Sequence, residues 1–95
     1  MEKNNFYRES DLKIIALLLA SEEVNYIGAV LDNKNRVWCR FSPEDVALEL
    51  VEAYFQKTEL SIHPFDLLEA FEKARTIIFR TREDTERSNL LKINN

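Results

Sequence analysis

The sequence contains few of the residues that break regular structure or build metal and redox sites. Its 95 residues include one glycine, two prolines, one cysteine and one histidine. An all-β or loop-rich domain needs turn-forming residues every few positions, so the composition argues against both and favours helices. The single cysteine excludes an internal disulfide and fits a reducing compartment, so we predict a cytoplasmic location.

Long apolar stretches are also lacking. The longest unbroken apolar run, from Ile14 to Ala20, is far shorter than the roughly 20 residues that span a bilayer. It has neither the basic flank nor the small-residue cleavage pattern of a signal peptide. The sequence therefore predicts no membrane contact.

Charge is abundant but unevenly distributed. Charged residues make up 32% of the chain and hydrophobic residues 45%, which is typical of a folded protein. Residues 44–72 carry eight acids and one base, whereas residues 73–95 carry six bases and three acids. The acidic middle repels phosphate backbones. We predict one domain over residues 1–95, with residues 1–5 and 85–95 either loose or engaged in oligomer contacts.

Capping signals divide the chain into three helices. Ser10 is a candidate N-cap for a helix ending at Ser21, and Ser42-Pro43 for one ending near Lys57. Pro64 begins the third helix. Phe6–Glu9 and Leu60–Ile62 are candidate short strands. Helical spacing predicts that the last two helices turn these residues inward: Val46, Leu50, Val51, Tyr54, Phe55, Leu67, Leu68, Phe71, Ala74, Ile78 and Phe79.

Residues 26–41 read as a β-hairpin. A three-residue loop, residues 33–35, would pair Leu31 with Val37, Ala29 with Cys39 and Ile27 with Phe41. One face of the hairpin is then wholly apolar, which fixes the register because a slip of one residue would exchange the two faces. Asn35 tolerates the left-handed conformation that such a loop needs.

The other face of the hairpin is the candidate binding surface. It collects Tyr26, Val30, Trp38 and Arg40, and tyrosine, tryptophan and arginine dominate binding hot spots. We predict a protein interface here, with a second copy or with another protein. The alternative is that Phe6, Tyr7 or a helix of the same chain covers this face.

Four arginines near the carboxyl end form a second candidate site. Contacts to nucleic acid through Arg75, Arg80, Arg82 and Arg87 are the alternative function, although the acids among them would cancel much of their field.

No pattern in the chain indicates catalysis, a metal or a cofactor. Cys39 lies mid-strand on the apolar face and is predicted to be a core residue. The acids around the single histidine, His63, fall on polar helix faces, so the sequence predicts no catalytic residue, no metal ligand, no cofactor and no small-molecule site.

The order of segments also resembles a small prokaryotic domain family of unknown function. The resemblance rests on DLKIIALLLA, YIGAV, NRVWCRF, a helix ending in AYF, and HPFDLLEAFEKARTIIF, and spans about residues 6–79. Members occur among genes of mobile elements and phages, which implies an accessory role. This chain has Ser21-Glu22-Glu23 where the family often has a glycine.

Together these features predict an α+β domain with a small antiparallel sheet, centred on the hairpin and packed against three helices. The predicted function is a non-enzymatic interaction or regulatory accessory module that forms homo-oligomers, with nucleic-acid binding as the alternative.

Overall fold

A computed structural model describes the backbone of residues 6–93 and the side chains of residues 6–88. Three strands form one antiparallel sheet in the order β1-β3-β2, and three helices complete the fold. The predicted α+β class is therefore confirmed. The elements along the chain are β1 (Tyr7–Glu9), α1 (Leu12–Ala20), β2 (Asn25–Leu31), β3 (Val37–Ser42), α2 (Glu44–Phe55) and α3 (Pro64–Ile93).

The hairpin between β2 and β3 turns through the predicted three-residue loop. The Asp32 amide donates to the Arg36 carbonyl at 2.9 Å, which closes the loop. Asn35 has a φ of 65°, the left-handed conformation that asparagine tolerates better than most residues. Leu31 pairs with Val37 as predicted, and the register holds as far as Gly28 opposite Arg40.

Beyond Gly28 the predicted register is wrong. A β-bulge shifts the pairing, so Tyr26 rather than Ile27 lies opposite Phe41. A bulge places two residues of one strand opposite one residue of its partner, which changes the face that each later side chain occupies. Ile27 is accordingly 48% exposed instead of lying in the core.

All three helices contribute to a core on one face of the sheet. The inward side chains of β3 (Val37, Cys39 and Phe41) are almost completely buried, whereas Trp38 and Arg40 alternate with them and lie outside the core. This alternation follows from the two-residue period of a strand. The buried core residues are Ile14, Ile15, Ala16, Leu18, Val24, Val37, Cys39, Phe41, Ala47, Val51, Ala70 and Ala74.

Helix α1 is the most deeply buried element. Five consecutive residues, 14–18, are buried, as expected for a short helix that is apolar on nearly all sides. Its N-cap is Asp11 and not the predicted Ser10. The Asp11 carboxylate accepts hydrogen bonds from the amides of Lys13 at 2.8 Å and Ile14 at 3.4 Å. Asparagine, aspartate and serine are comparable caps, and the helix starts at the later one.

The start of α2 and one predicted strand also differ from the prediction. Ser42 belongs to β3. Helix α2 begins at Glu44, and its N-cap is Pro43, which makes no side-chain hydrogen bond. The strand expected at Leu60–Ile62 is not formed, since residues 58–63 have no regular secondary structure.

Four residues expected to face inward are exposed: Tyr54, Phe55, Leu68 and Phe79. On α3 the buried positions are Ala70 and the predicted Ala74, while Ile77 and the predicted Ile78 pack at the core margin. Helix α3 continues to Ile93, well beyond the last residue of the core, so the sequence after Phe79 is helical. The predictions for residues 1–5 and 94–95 lie outside the described residues.

The small size of Ala74 is what lets α1 and α3 pack closely. Ala74 is completely buried. We expect Ala74→Leu to lower the free energy of unfolding by about 1–3 kcal/mol, because extra methylenes in a well-packed core force neighbouring side chains apart. Urea unfolding followed by circular dichroism measures this. Thr76→Leu, at an exposed position of the same helix, is the control and should change stability little; an equal loss in both variants would contradict close packing at Ala74.

Candidate functional site

The face of the sheet turned away from the helices is the candidate site, and we call it the open face. Strand alternation places its side chains in register across three strands, on the side opposite Cys39 and Phe41. In the strands its members are Arg8, Gly28, Val30, Trp38 and Arg40. Phe6, Asp32 and Arg36 lie next to the strands and contact Arg40 or Trp38, and we include them in the open face.

Trp38 lies at the centre of the open face and is half-buried. Its indole nitrogen Nε1 donates a hydrogen bond to Asp32 Oδ2 at 2.9 Å. The Arg8 guanidinium lies 4.9 Å from the ring centroid and the Arg36 guanidinium 6.0 Å, both within cation–π range. The ring is therefore held by one hydrogen bond and two cations before any partner binds.

Asp32 connects the hairpin loop to the indole. One carboxylate oxygen accepts from the amides of Lys34 and Arg36, each at 2.9 Å, while the other accepts from Trp38. Hydrogen bonds to the charged form of a carboxylate favour that form. The bond from Trp38, followed by the Arg36 amide, lowers the pKa of Asp32 below its ordinary value of 3.8.

Arg8 and Arg40 are direct neighbours across the β1–β3 ladder. Like charges directly opposite each other destabilise a sheet. Each guanidinium turns to an aromatic ring instead, Arg8 to Trp38 and Arg40 to Phe6 at 5.4 Å. Within residues 6–88 neither guanidinium hydrogen-bonds to a carboxylate, and the buried Arg40 Nε–H has no acceptor. The two cations thus have no carboxylate partner among the described side chains.

Gly28 makes room for Arg40. Its φ of 142° is a conformation that residues with side chains rarely adopt. A Cβ at this position would also lie 3.0 Å from Arg40 Nη2. The one glycine of the chain therefore serves both the β-bulge and the position of the guanidinium.

The open face is positively charged in a chain whose net charge is −4. Three arginines and one aspartate give it a formal charge of +2. Val30 adds an apolar side chain that is 42% exposed. An aromatic ring, an aliphatic side chain and guanidinium groups that have no carboxylate partner among residues 6–88 suit recognition of an anionic, partly apolar ligand.

Three of the four residues predicted for the protein interface come together on the open face: Val30, Trp38 and Arg40. Tyr26 does not join them, because the bulge directs it to the Phe41 side, where the two ring centroids are 5.8 Å apart. No helix among the described residues covers Trp38, although Arg8 and Phe6 lie over parts of this face. Arg8 was not predicted to lie on this face, because the three residues of β1 are too few to show the alternation of a strand.

The four arginines of α3 do not form one row. Arg75 and Arg82 are seven residues apart and share one side of the helix, as do Arg80 and Arg87 on another side. The two pairs are separated by about 140° around the helix, since each residue advances about 100°. Arg82 Nη2 also donates to the Asn35 carbonyl at 3.1 Å and so holds the hairpin loop against α3.

Cys39 is completely buried, as predicted for a core residue. Burial, with the nearby negative charge of Glu9, raises the pKa of the Cys39 thiol to about 11. A thiol that stays protonated at neutral pH is a poor nucleophile.

A depression of about 770 Å³ lies near His63. It is lined by several acids, among them Glu22, Glu59 and Asp66. The Nδ1 atom of His63 accepts a hydrogen bond from the Phe65 amide and so caps the start of α3. Within the part of the chain that the structure describes, no three histidine, cysteine, aspartate or glutamate side chains lie close enough to hold a metal ion.

Comparison with known proteins gives no match to a family model, to a curated protein or to a solved structure. The resemblance to a small prokaryotic domain family therefore stays a prediction. None of the helices in residues 6–93 combines the length and the hydropathy that a bilayer crossing requires.

The requirement for glycine at position 28 has two separable parts. We expect Gly28→Ala to lower the free energy of unfolding by about 1–3 kcal/mol, through its positive φ and through contact with Arg40. In an Arg40→Ala background the same change should cost less, because only the φ penalty remains. Chemical unfolding of the four proteins measures both values, and equal costs in the two backgrounds would show that Arg40 does not need the space.

Because its pKa is lowered, the Asp32 carboxylate contributes to the stability of the fold in a way that depends on pH. A carboxyl whose folded-state pKa is depressed stabilises the fold above its unfolded pKa and loses that effect as pH falls through the folded value. We expect the fluorescence of Trp38 to change in a transition centred below pH 3.8, which Asp32→Asn should remove. Asp45→Asn, on α2, should leave the transition in place. A midpoint at or above 3.8 in the wild type would contradict the assignment.

Proposed function

We propose that this protein is a non-enzymatic interaction module that forms homo-oligomers and binds an acidic segment of a partner protein on its open face. The observation that carries the proposal is the pair Arg8 and Arg40, adjacent across the sheet and without carboxylate partners among residues 6–88. The free cysteine fits a cytoplasmic setting for such a module.

A carboxylate is the group that this pair fits best. Guanidinium groups bind carboxylates through two parallel hydrogen bonds, which are stronger than neutral ones. Bound between Arg8 and Arg40, a carboxylate would also relieve the repulsion between the two cations. Trp38 and Val30 beside the pair offer apolar contact to the aliphatic part of a glutamate or to a neighbouring side chain.

A second copy is a poor occupant of the open face. A two-fold axis through this face would bring its three arginines against the same three arginines. Like charges opposed across an interface cost several kcal/mol. The proposed self-association therefore uses another surface.

Nucleic acid is also less favoured than an acidic protein. Glu44 and Asp45 are exposed immediately after β3, so acids border one end of the open face, and residues 44–72 carry a net charge of −7 from eight acids and one base. The arginines of α3 stand on two sides of the helix and not along one track.

Site-specific crosslinking tests the proposal. A photoreactive amino acid replaces Val30 in the full chain, which is expressed in its native host and irradiated. We expect crosslinks to an acidic segment of another protein, and a yield lower by about tenfold or more when Arg8→Glu and Arg40→Glu are added, since losing one charge-assisted contact of about 1.4 kcal/mol already gives tenfold.

The control is Lys13→Glu with Lys73→Glu, which makes the same charge change on exposed helix positions. It should leave the yield unchanged. Crosslinks to nucleic acid would favour the alternative function, and crosslinks to a second copy would place self-association on the open face. Either result, or a yield unaffected by the arginine changes, would overturn the proposal.

A further inference from the structure

The outer side of α3 carries a second candidate surface, which we call the outer stripe. It consists of five exposed residues: Phe65, Leu68, Glu72, Arg75 and Phe79. Its members are spaced alternately three and four residues apart, the spacing of a seam between paired helices. Three of them are large apolar side chains with most of their surface exposed: Phe65 at 60%, Leu68 at 66% and Phe79 at 66%.

The outer stripe faces away from the core. Ala70 and Ala74 on the opposite side of α3 are buried, and the side chains that border them belong to the core cluster. Three large apolar side chains on the outer side of one helix, each more than half exposed, point to an interaction surface, because exposed apolar surface is concentrated at such sites. The core of the chain thus does not account for Leu68 or Phe79.

The outer stripe is complementary in charge to a second copy of itself that runs antiparallel. From its amino end the stripe reads apolar, acidic, basic, apolar at positions 68, 72, 75 and 79. The pairs Leu68 with Phe79 and Glu72 with Arg75 share one midpoint, between residues 73 and 74. An antiparallel second helix centred there places Glu72 of each copy against Arg75 of the other, and Leu68 against Phe79.

We infer that two copies of this chain dimerise by packing their α3 helices antiparallel along the outer stripe. The inference rests on the homo-oligomer of the proposed function, but it uses a surface separate from the open face. The two Glu72–Arg75 ion pairs lie next to the two-fold axis, and Leu68–Phe79 contacts cover them at each end. A parallel, in-register pair would oppose Glu72 to Glu72 and Arg75 to Arg75, so the same charges exclude it.

The contact is short. From Phe65 to Phe79 the helix rises only about 21 Å. Interfaces of this extent fall among weak or transient associations. We therefore expect a monomer–dimer equilibrium that depends on protein concentration and not a permanent dimer.

Charge exchange tests the pairing directly. Sedimentation velocity over a range of concentrations should show dimers of the wild type. Glu72→Arg alone or Arg75→Glu alone should weaken dimerisation by about tenfold or more, since each opposes like charges twice, and about 1.4 kcal/mol corresponds to tenfold. The double variant E72R/R75E should restore dimers. An equimolar mixture of the two single variants should form heterodimers, because each then meets its complement.

The matched control is Glu49→Arg, a charge reversal at an exposed position of α2, which should leave the equilibrium unchanged. Circular dichroism confirms that every variant is folded. A wild type that stays monomeric at all concentrations would overturn both the inference and the homo-oligomer in the proposed function. Dimers that persist in Glu72→Arg, or single variants that fail to form heterodimers on mixing, would overturn the inference alone and leave self-association to another surface.

Discussion

The strict alternation of β3 is the constraint on which the structure depends. As the central strand of the sheet it has neighbours on both sides, so its side chains must separate completely into two sets. Val37, Cys39 and Phe41 enter the core, and all three helices pack on that side. Trp38 and Arg40 therefore lie on the opposite face, on which no helix of the described residues packs. The candidate site is thus a direct consequence of the way the core forms.

This one-sided packing also explains the division of roles among the helices. Helix α1 is short and apolar on nearly every side, so it can be stable only between the sheet and other helices. Helix α3 meets it through the small residues Ala70 and Ala74, which allow close approach. The larger apolar residues of α3 that do not fit this contact, Leu68 and Phe79, stay outside.

The hairpin loop, the register near it and the α+β class were predictable from the sequence. The alternation of apolar residues and the tolerance of Asn35 for the left-handed conformation both indicated the same three-residue loop. The bulge was not predicted, because Ile27 and Tyr26 are both compatible with an apolar neighbour. The sequence signal that could have indicated it is Gly28, because a glycine inside a strand often marks a bulge; its φ is positive in the structure. On α3 the apolar residues extend around more of the helix than one contact can bury, so spacing alone could not decide between Ala70 and Leu68. Arg8 was missed because a three-residue strand gives too short a pattern.

The arrangement of Arg8 and Arg40 shows how the open face differs from an ordinary solvated sheet face. Edge strands commonly carry single charges that discourage pairing with other chains. Here a cation on the edge strand faces another on the central strand, and the fold accepts the repulsion while also giving up a side chain at position 28. A glutamate in place of either arginine would remove the repulsion, and neither position belongs to the core. The chain instead holds both guanidinium groups against aromatic rings, which limits the directions in which they can point. Such preorganisation would lower the entropy cost of the anion binding that we propose for this face.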